Sequence, residues 1–427
     1  AALTVTQRHA RCGRCSNNCQ LTINDFGGGR RFITGNRCEK GAGNHAKKQE
    51  VPNLFAAKND LLFNRSVLAE EDAPRGTVGI PRALNMYENY PFWHAFFRAL
   101  GFAVTVPDLD EGARRADAAA WESIPSESVC LPAKEAHFRL FALARAGVDA
   151  VFVPRFQRGS RCPVACSYAD VLASALDAAR AEGEVPARVR LASPELASLR
   201  PEVFVRTAGD RAALRACVDE LCGGVGVSDD DFARALDVAL RAQRAFEQTV
   251  ERGARRALAW VEADPRRRGA VLACRPYHVD PAVLHGIDEE LAHLGYAVIA
   301  PLGVCVLAGG EGAEASWGPA RRLVRLASCA AAHPQLDAVV LRSFGCTMDA
   351  AAAEEARGVL EAAGKPATVL KIDDIVDVAH IGIRLRTLVE TAAGQGSAPV
   401  VADASNSRQC FPRIIICILS RKISCPP

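Results

Sequence analysis

The 427 residues carry 52 Lys and Arg against 49 Asp and Glu, a formal net charge of +3, with 49% hydrophobic and 24% charged residues. That balance belongs to a packed chain long enough for two or three domains; it excludes wholesale disorder and gives no strongly basic footprint for nucleic acid. The uncharged stretch Ala297 to Gly310 is broken by Pro301 and is too short for the roughly 20 residues of a bilayer span, so no membrane partner is expected.

Residues 1–50 are rich in Cys, Gly, Asn and Arg and poor in apolar periodicity, a composition that cannot build a core and is expected to need a metal. Residues 51–75 read as a linker. From Gly76 short apolar runs alternate with helical patterns. Strands are predicted at Thr77–Ile80, Phe102–Val106, Val148–Val153, Arg188–Ala192, Ala270–Ala273, Ala297–Pro301, Ala338–Leu341 and Ala367–Leu370. Helices are predicted over 85–100, 133–146, 168–182, 281–294, 317–332, 349–363 and 376–393, with a long Ala/Arg-rich helix over Asp229–Val261. Alternation of this kind implies an α/β class with parallel sheets and crossover helices. The strands form two groups, so the predicted architecture is two doubly wound lobes, 76–228 and 268–402, joined by a helix over 229–267. Residues 403–427 have neither texture and read as a non-native or disordered tail; Cys410, Cys417 and Cys425 are given no role.

Sixteen cysteines call for a cause. With no export signal at the start and a core that needs no staples, clustered thiols point to metal ligation in a reducing, cytoplasmic setting. The opening Ala-Ala in place of Met suggests a piece of something longer. Cys217, Cys222, Cys305 and Cys329 sit in apolar patterns and read as small buried hydrophobes. Cys12, Cys15 and Cys19, followed by Cys38, can converge on one tetrahedral set, which suits zinc or a 4Fe-4S cluster; spacing does not choose between them. A second, dispersed set is Cys130, Cys162 and Cys346, with Cys166 as an alternative to Cys162. Each lies at the carboxyl end of a predicted strand or at a helix start, where open parallel sheets hold ligands and helix amino-termini favour thiolate. Three thiolates would leave one iron open to substrate; four would close the site.

Eight motifs in one order carry a resemblance: Cys12-x-x-Cys15-x-Asn17-x-Cys19, Gly35-Asn-Arg-Cys38-Glu, Ile80-Pro-Arg-x-Leu-Asn-Met-Tyr87, Tyr90-Pro-Phe-Trp93, Ile124-Pro-Ser-x-x-x-Cys130, Pro132-Ala-Lys134, Arg275-Pro-Tyr-His278 and Ser343-Phe-Gly-Cys346. Over about residues 8–395 the chain resembles the acyl-CoA dehydratase activase-related proteins, relatives of the 2-hydroxyacyl-CoA dehydratase subunits. The resemblance implies Rossmann-like lobes around an iron–sulfur cluster and an ATP-dependent activase as electron donor. It further implies anaerobic radical dehydration or reduction of an acyl-CoA-type substrate, and a homo- or heterodimer. The chain departs from the family at Cys274, where Gly is usual, and at Thr347-Met348, where Gly-Leu is usual. It also lacks a Gly-x-x-x-x-Gly-Lys-[Ser/Thr] loop, and Gly309-Gly310-Glu-Gly312 reads as a turn, so ATP chemistry is assigned to another chain or segment.

Arg275, His278 and His137 are the polar candidates to act beside the cysteines, with Lys134, Tyr277, Asp280 and His285 near them. A single helix over 281–294 would put His285 and Asp288 on one face. Phe92, Trp93, Phe96 and Phe97 read as a core stripe. The alternative to an electron-accepting iron–sulfur protein is a non-catalytic, zinc-stapled binding or scaffold module that partners the activase.

Overall fold

A computed structural model describes residues 5–12, 19–27, 31–35, 51–65, 68, 73–107, 109, 111–156, 162–223, 226–300, 319–343, 345–372 and 379–395. Cys15, Cys38, Cys305, the Gly309-Gly310 stretch and the tail 403–427 lie outside them.

The eight predicted strands are all present, and they pair into two parallel four-stranded sheets. In the first, β4 (Thr77–Gly79), β5 (Ala103–Thr105), β6 (Ala150–Phe152) and β7 (Arg190–Ala192) lie in the order β5-β4-β6-β7. The second repeats that order with β8 (Arg268–Ala273), β9 (Tyr296–Ile299), β10 (Leu336–Arg342) and β11 (Thr368–Lys371), as β9-β8-β10-β11. In both, the first strand in sequence lies between the second and third, so the chain winds off in both directions and covers both faces.

Near-continuous apolar strands are what a sheet buried on two faces requires. Val78, Ala150 and Phe152 turn toward helices α2 (Met86–Ala99) and α5 (Ala208–Leu221). Val151 turns the other way, into the core made by α3 (Leu131–Arg145) and α4 (Pro163–Ala181). The second sheet does the same: Leu272, Val339 and Leu341 pack on one side, Val271, Ala338 and Val340 on the other. The aromatic stripe of α2 is core, as its spacing indicates. Phe92, Trp93, Phe96 and Phe97 are fully buried, with Trp93 stacked on Phe204 at 5.3 Å.

Helix α6 (Asp229–Glu262) starts on Ser228, whose hydroxyl accepts from the Asp231 amide, with three Asp in its first turn against the helix dipole. It serves both sheets. Phe232, Leu236 and Ala239 enter the first core, and Val250, Ala257 and Val261 enter the cores of the second.

Elsewhere the sequence reading falls short of the fold. The amino-terminal segment forms an antiparallel three-stranded sheet, β1 (Thr6–Arg11), β2 (Gln20–Asp25) and β3 (Arg31–Thr34), around a small cluster of Cys12, Cys19, Leu21 and Ile23. The segment read as linker carries α1 (Leu54–Phe63), whose Phe55 and Leu62 are buried against the second sheet. The helix expected over 281–294 is two, Pro281–Leu284 and α7 (Ile287–His293), because His285 and Gly286 turn left-handed at φ +54° and +74°. The single helix that would put His285 and Asp288 on one face is therefore corrected, and the Asp288 carboxylate accepts from Asn53 Nδ2 at 2.8 Å.

Candidate functional site

An open parallel sheet offers its ligand crevice beyond the carboxyl ends of the strands, where the winding reverses. Here that means between β4 and β6 in one sheet and between β8 and β10 in the other. The chain leaves β4 through Ile80-Pro81-Arg82 and leaves β8 through Cys274-Arg275, and these two ends meet. Asp280 is the meeting point. Its carboxylate lies 3.2 Å from Arg139 Nη2 on α3, 3.7 Å from Arg82 Nη2, and within hydrogen-bond reach of the Tyr87 hydroxyl, while its second oxygen caps Ala282 N at 2.9 Å. Arg139 in turn lies 3.8 Å from Glu135, which accepts from Arg114 at 3.1 Å.

A second contact joins the same faces nearer the thiols. A Cβ placed on Gly345 would stand 2.7 Å from the carbonyl oxygen of Ser128, so the loop before Cys346 and the loop before Cys130 touch where only a glycine fits. All three cysteines of the dispersed set are N-cap residues with extended backbone: Cys130 on α3, Cys162 on α4 and Cys346 on α9 (Thr347–Ala362). Each is half-buried, and none is in a disulfide. Cys346 Sγ accepts from the Asp349 amide at 3.4 Å. Burial, and then the Asp349 carboxylate, push this thiol above its ordinary range, outweighing the pull of the helix end that was expected to favour thiolate. Burial and neighbouring Cys162 do the same to Cys166.

Arg275 holds Asp349. Its Nε donates to Oδ1 at 2.6 Å and Nη2 reaches the same oxygen, with both side chains buried. The Arg275 amide donates to His278 Nδ1 at 3.0 Å, which places any proton of the neutral ring on Nε2; that atom is buried and has no acceptor among the described residues. Burial lowers His278 to about 4. Tyr277 Oη lies 3.5 Å from Ser343 Oγ.

All of these residues but Ser343, Gly345, Cys346 and Asp349 fall within a match to the family described as CoA enzyme activase uncharacterised domain (DUF2229), which spans residues 77–302, more than half of the chain. The chain belongs to this family. The activase-domain match takes in both β4 and β8, with Cys130, Cys162, His137, Arg275 and His278, and agrees with the resemblance drawn from the motifs. No curated protein sequence matches the chain. Among the solved structures to which it shows some likeness are the C-terminal domain of glucosamine-fructose-6-phosphate aminotransferase from Francisella tularensis (10% identity, 82% of this chain, 95% of that one) and glucosamine-6-phosphate deaminase from Thermotoga maritima (13% identity, 81% and 94%). At a TM-score of 0.18 for each, neither likeness carries weight.

His137, the third polar candidate of the activase-domain chain, stands apart from Arg275 and His278. It is wholly buried in α3, with Nδ1 2.7 Å from Ser123 Oγ and Nε2 2.9 Å from Tyr168 Oη on α4. The sequence reading missed Ser123 and Tyr168, because nothing in their spacing marks them as partners across separate helices. It also missed Asp349 and placed Asp280 only as a neighbour. Cys274, which stands where the family usually has Gly, is sealed in the core, where burial pushes it up to about 12. Cys12 and Cys19 follow the last β1–β2 pair, Arg11 with Gln20, at the connected end of the ribbon, where Cys12 N donates to Cys19 O at 2.9 Å. Among the described residues no three His, Cys, Asp or Glu side chains are gathered into one metal-ligand set. The donor chemistry of Cys130 and Cys346, uncrosslinked thiols on two touching loops, suits an iron–sulfur cluster, and Cys162 stands at a third helix start of the same kind.

Among the described residues no helix is long and apolar enough to cross a membrane.

Proposed function

We propose that the chain is a cytoplasmic iron–sulfur protein that accepts low-potential electrons from an ATP-dependent activase carried on another chain or segment. Its substrate would be an acyl-CoA-type molecule that is dehydrated or reduced. Cys130, Cys162 and Cys346 would hold a 4Fe-4S cluster with one open position; Cys12, Cys15, Cys19 and Cys38 would hold a closed site, a second cluster or zinc. The observation that carries the reading is the placement of all three dispersed thiols as helix N-caps, with two of their loops in contact at Gly345. When bound, the cluster would supply one-electron chemistry at an open iron.

The chain's own residues have separate tasks. Arg275 fixes Asp349, whose amide fixes the Cys346 sulfur. His278 is held neutral and offers an Nε2 proton. Ser123, His137 and Tyr168 form a hydrogen-bonded series from a half-exposed hydroxyl to the neighbourhood of Cys130, a route along which a proton can pass.

Anaerobic iron and sulfide analysis tests this directly. Cys130→Ser and Cys346→Ser are expected to lose the same iron and Cys12→Ser a different set. A colourless wild type with one zinc per chain would replace the electron-accepting reading with a zinc-stapled module. Gly345→Ala adds a geometric check. The new methyl must push the Ser128 loop away, at about 1–3 kcal/mol in stability, and is expected to cut iron at the Cys130–Cys346 site at least twofold after reconstitution. Gly358→Ala, where a Cβ meets nothing within 4 Å, should keep full iron.

A further inference from the structure

Tyr277 brings a phenol to the crevice that none of the tasks above employs. It sits in the 3-10 turn Pro276–Val279, just after β8, with its ring 4.7 Å from the His278 ring and packed against the core of the second sheet. The hydroxyl is therefore held in one place, beside Ser343 on the loop that leads to Cys346. At Gly345 the same loop touches Ser128, two residues before Cys130. The phenol thus comes from the second sheet to the place where the two thiol loops meet.

Its proton is only weakly held. The 3.5 Å to Ser343 Oγ is well beyond the roughly 2.7–2.8 Å usual between hydroxyls, so a better acceptor would take the bond. Burial, and then the Asp349 carboxylate, push the phenol well above its ordinary range against the pull of Arg275, and Cys130 adds to the rise. The hydroxyl accordingly stays protonated and is sensitive to charge at Cys130. Tyr168 is sensitive to Cys130 as well, but its hydroxyl is engaged with His137 Nε2 at 2.9 Å. A donor turned toward cluster sulfur stabilises the reduced state, which carries one more negative charge.

We propose that Tyr277 is a positioning residue of the thiol site, whose hydroxyl donates across the crevice to sulfur on the Cys130 side and raises the reduction potential of the cluster held there. The proposal rests on the reading that Cys130 and Cys346 hold iron.

Anaerobic titration of the reconstituted full chain with titanium(III) citrate, followed by visible absorbance and electron paramagnetic resonance, tests it. Tyr277→Phe is expected to keep the iron of the wild type and to shift the potential to a more negative value. Ser343→Ala is expected to change neither, because its contact with the phenol is long. Fluorotyrosine at position 277, a stronger donor on a ring of nearly the same shape, should shift the potential the opposite way, and it decides the matter should Tyr277→Phe fail to fold. A potential that neither change at 277 moves, or one that Ser343→Ala lowers as far as Tyr277→Phe does, overturns the proposal while the cluster reading stands. A wild type that takes up no iron overturns both, so the two failures are told apart.

Discussion

Taking the protein from pH 7 to pH 5 is expected to lower its unfolding free energy by about 4 kcal/mol, from two buried histidines alone. Burial lowers both His137 and His278 to about 4, whereas in the unfolded chain each titrates near 6.5. Between those values the unfolded state binds about two more protons than the folded one, so stability rises with pH across the window and is lost as pH falls through it. The hydrogen bonds agree with neutral rings. His278 Nδ1 accepts from a backbone amide, and a charged ring there would face the buried Arg275 guanidinium. Other groups modify the slope without reversing it. Burial works against the Glu88 carboxylate, but Arg322 and Lys58 hold it below its ordinary range, so it adds acid sensitivity at lower pH. Burial raises Asp288, which therefore acts in the opposite sense. Urea unfolding at pH 7, 6 and 5 measures the slope; His137→Gln and His278→Gln should each remove about half of it. A midpoint that stays flat over this range would mean that the rings are hydrated and charged in the folded state.

The α/β class was legible because the strands are short apolar blocks bounded by turn residues, and Thr77–Gly79 or Leu336–Arg342 need no tertiary knowledge to be found. The two-lobed reading followed from their grouping, and the repeated strand order is its structural counterpart. Three things were not legible. Among the described residues the amino-terminal strands turn Ala10, Leu21, Ile23 and Ile33 inward, too few alternations to separate from loop. The break at His285 requires a left-handed residue in a stretch whose apolar spacing is helical throughout, and only Gly286 hints at it. The partners of the candidate residues come from far along the chain. Arg275 is 74 positions from Asp349, and Tyr87 is 193 from Asp280. The motifs Ile80-Pro-Arg and Arg275-Pro-Tyr-His were visible in the sequence, but their shared purpose, to set one sheet's loops against the other's, emerges only when Asp280 is seen between Arg82 and Arg139.

Asp280→Asn is expected to destabilise the protein by about 3–5 kcal/mol, more than an exposed ion pair could account for. The carboxylate is buried, with Arg139 at 3.2 Å and Arg82 at 3.7 Å, and Arg139 is itself buried. Removing the negative charge leaves Arg139 with Glu135, a carboxylate already shared with Arg114, and leaves Arg82 with the neutral Asn59 Oδ1 at 3.2 Å. The amide can still cap Ala282, so the helix start survives and the loss is electrostatic. Tyr87→Phe, which removes one hydroxyl from the same cluster, should cost about 1–2 kcal/mol. A double-mutant cycle separates the pair from its surroundings. With Arg139→Met in place, Asp280→Asn should cost at least 1 kcal/mol less, because one of the stranded charges is gone. The consequence reaches the thiols, since Arg139 lies on the helix that Cys130 caps and Asp280 on the loop that follows Arg275. Loss of the clasp frees the Cys130 side of the crevice from the Cys346 side, so Asp280→Asn should lower iron content at that site even under conditions where the chain stays folded. Additive energies in the cycle, together with unchanged iron, would show that water already screens the cluster of charges and that the two loops are held together by packing alone.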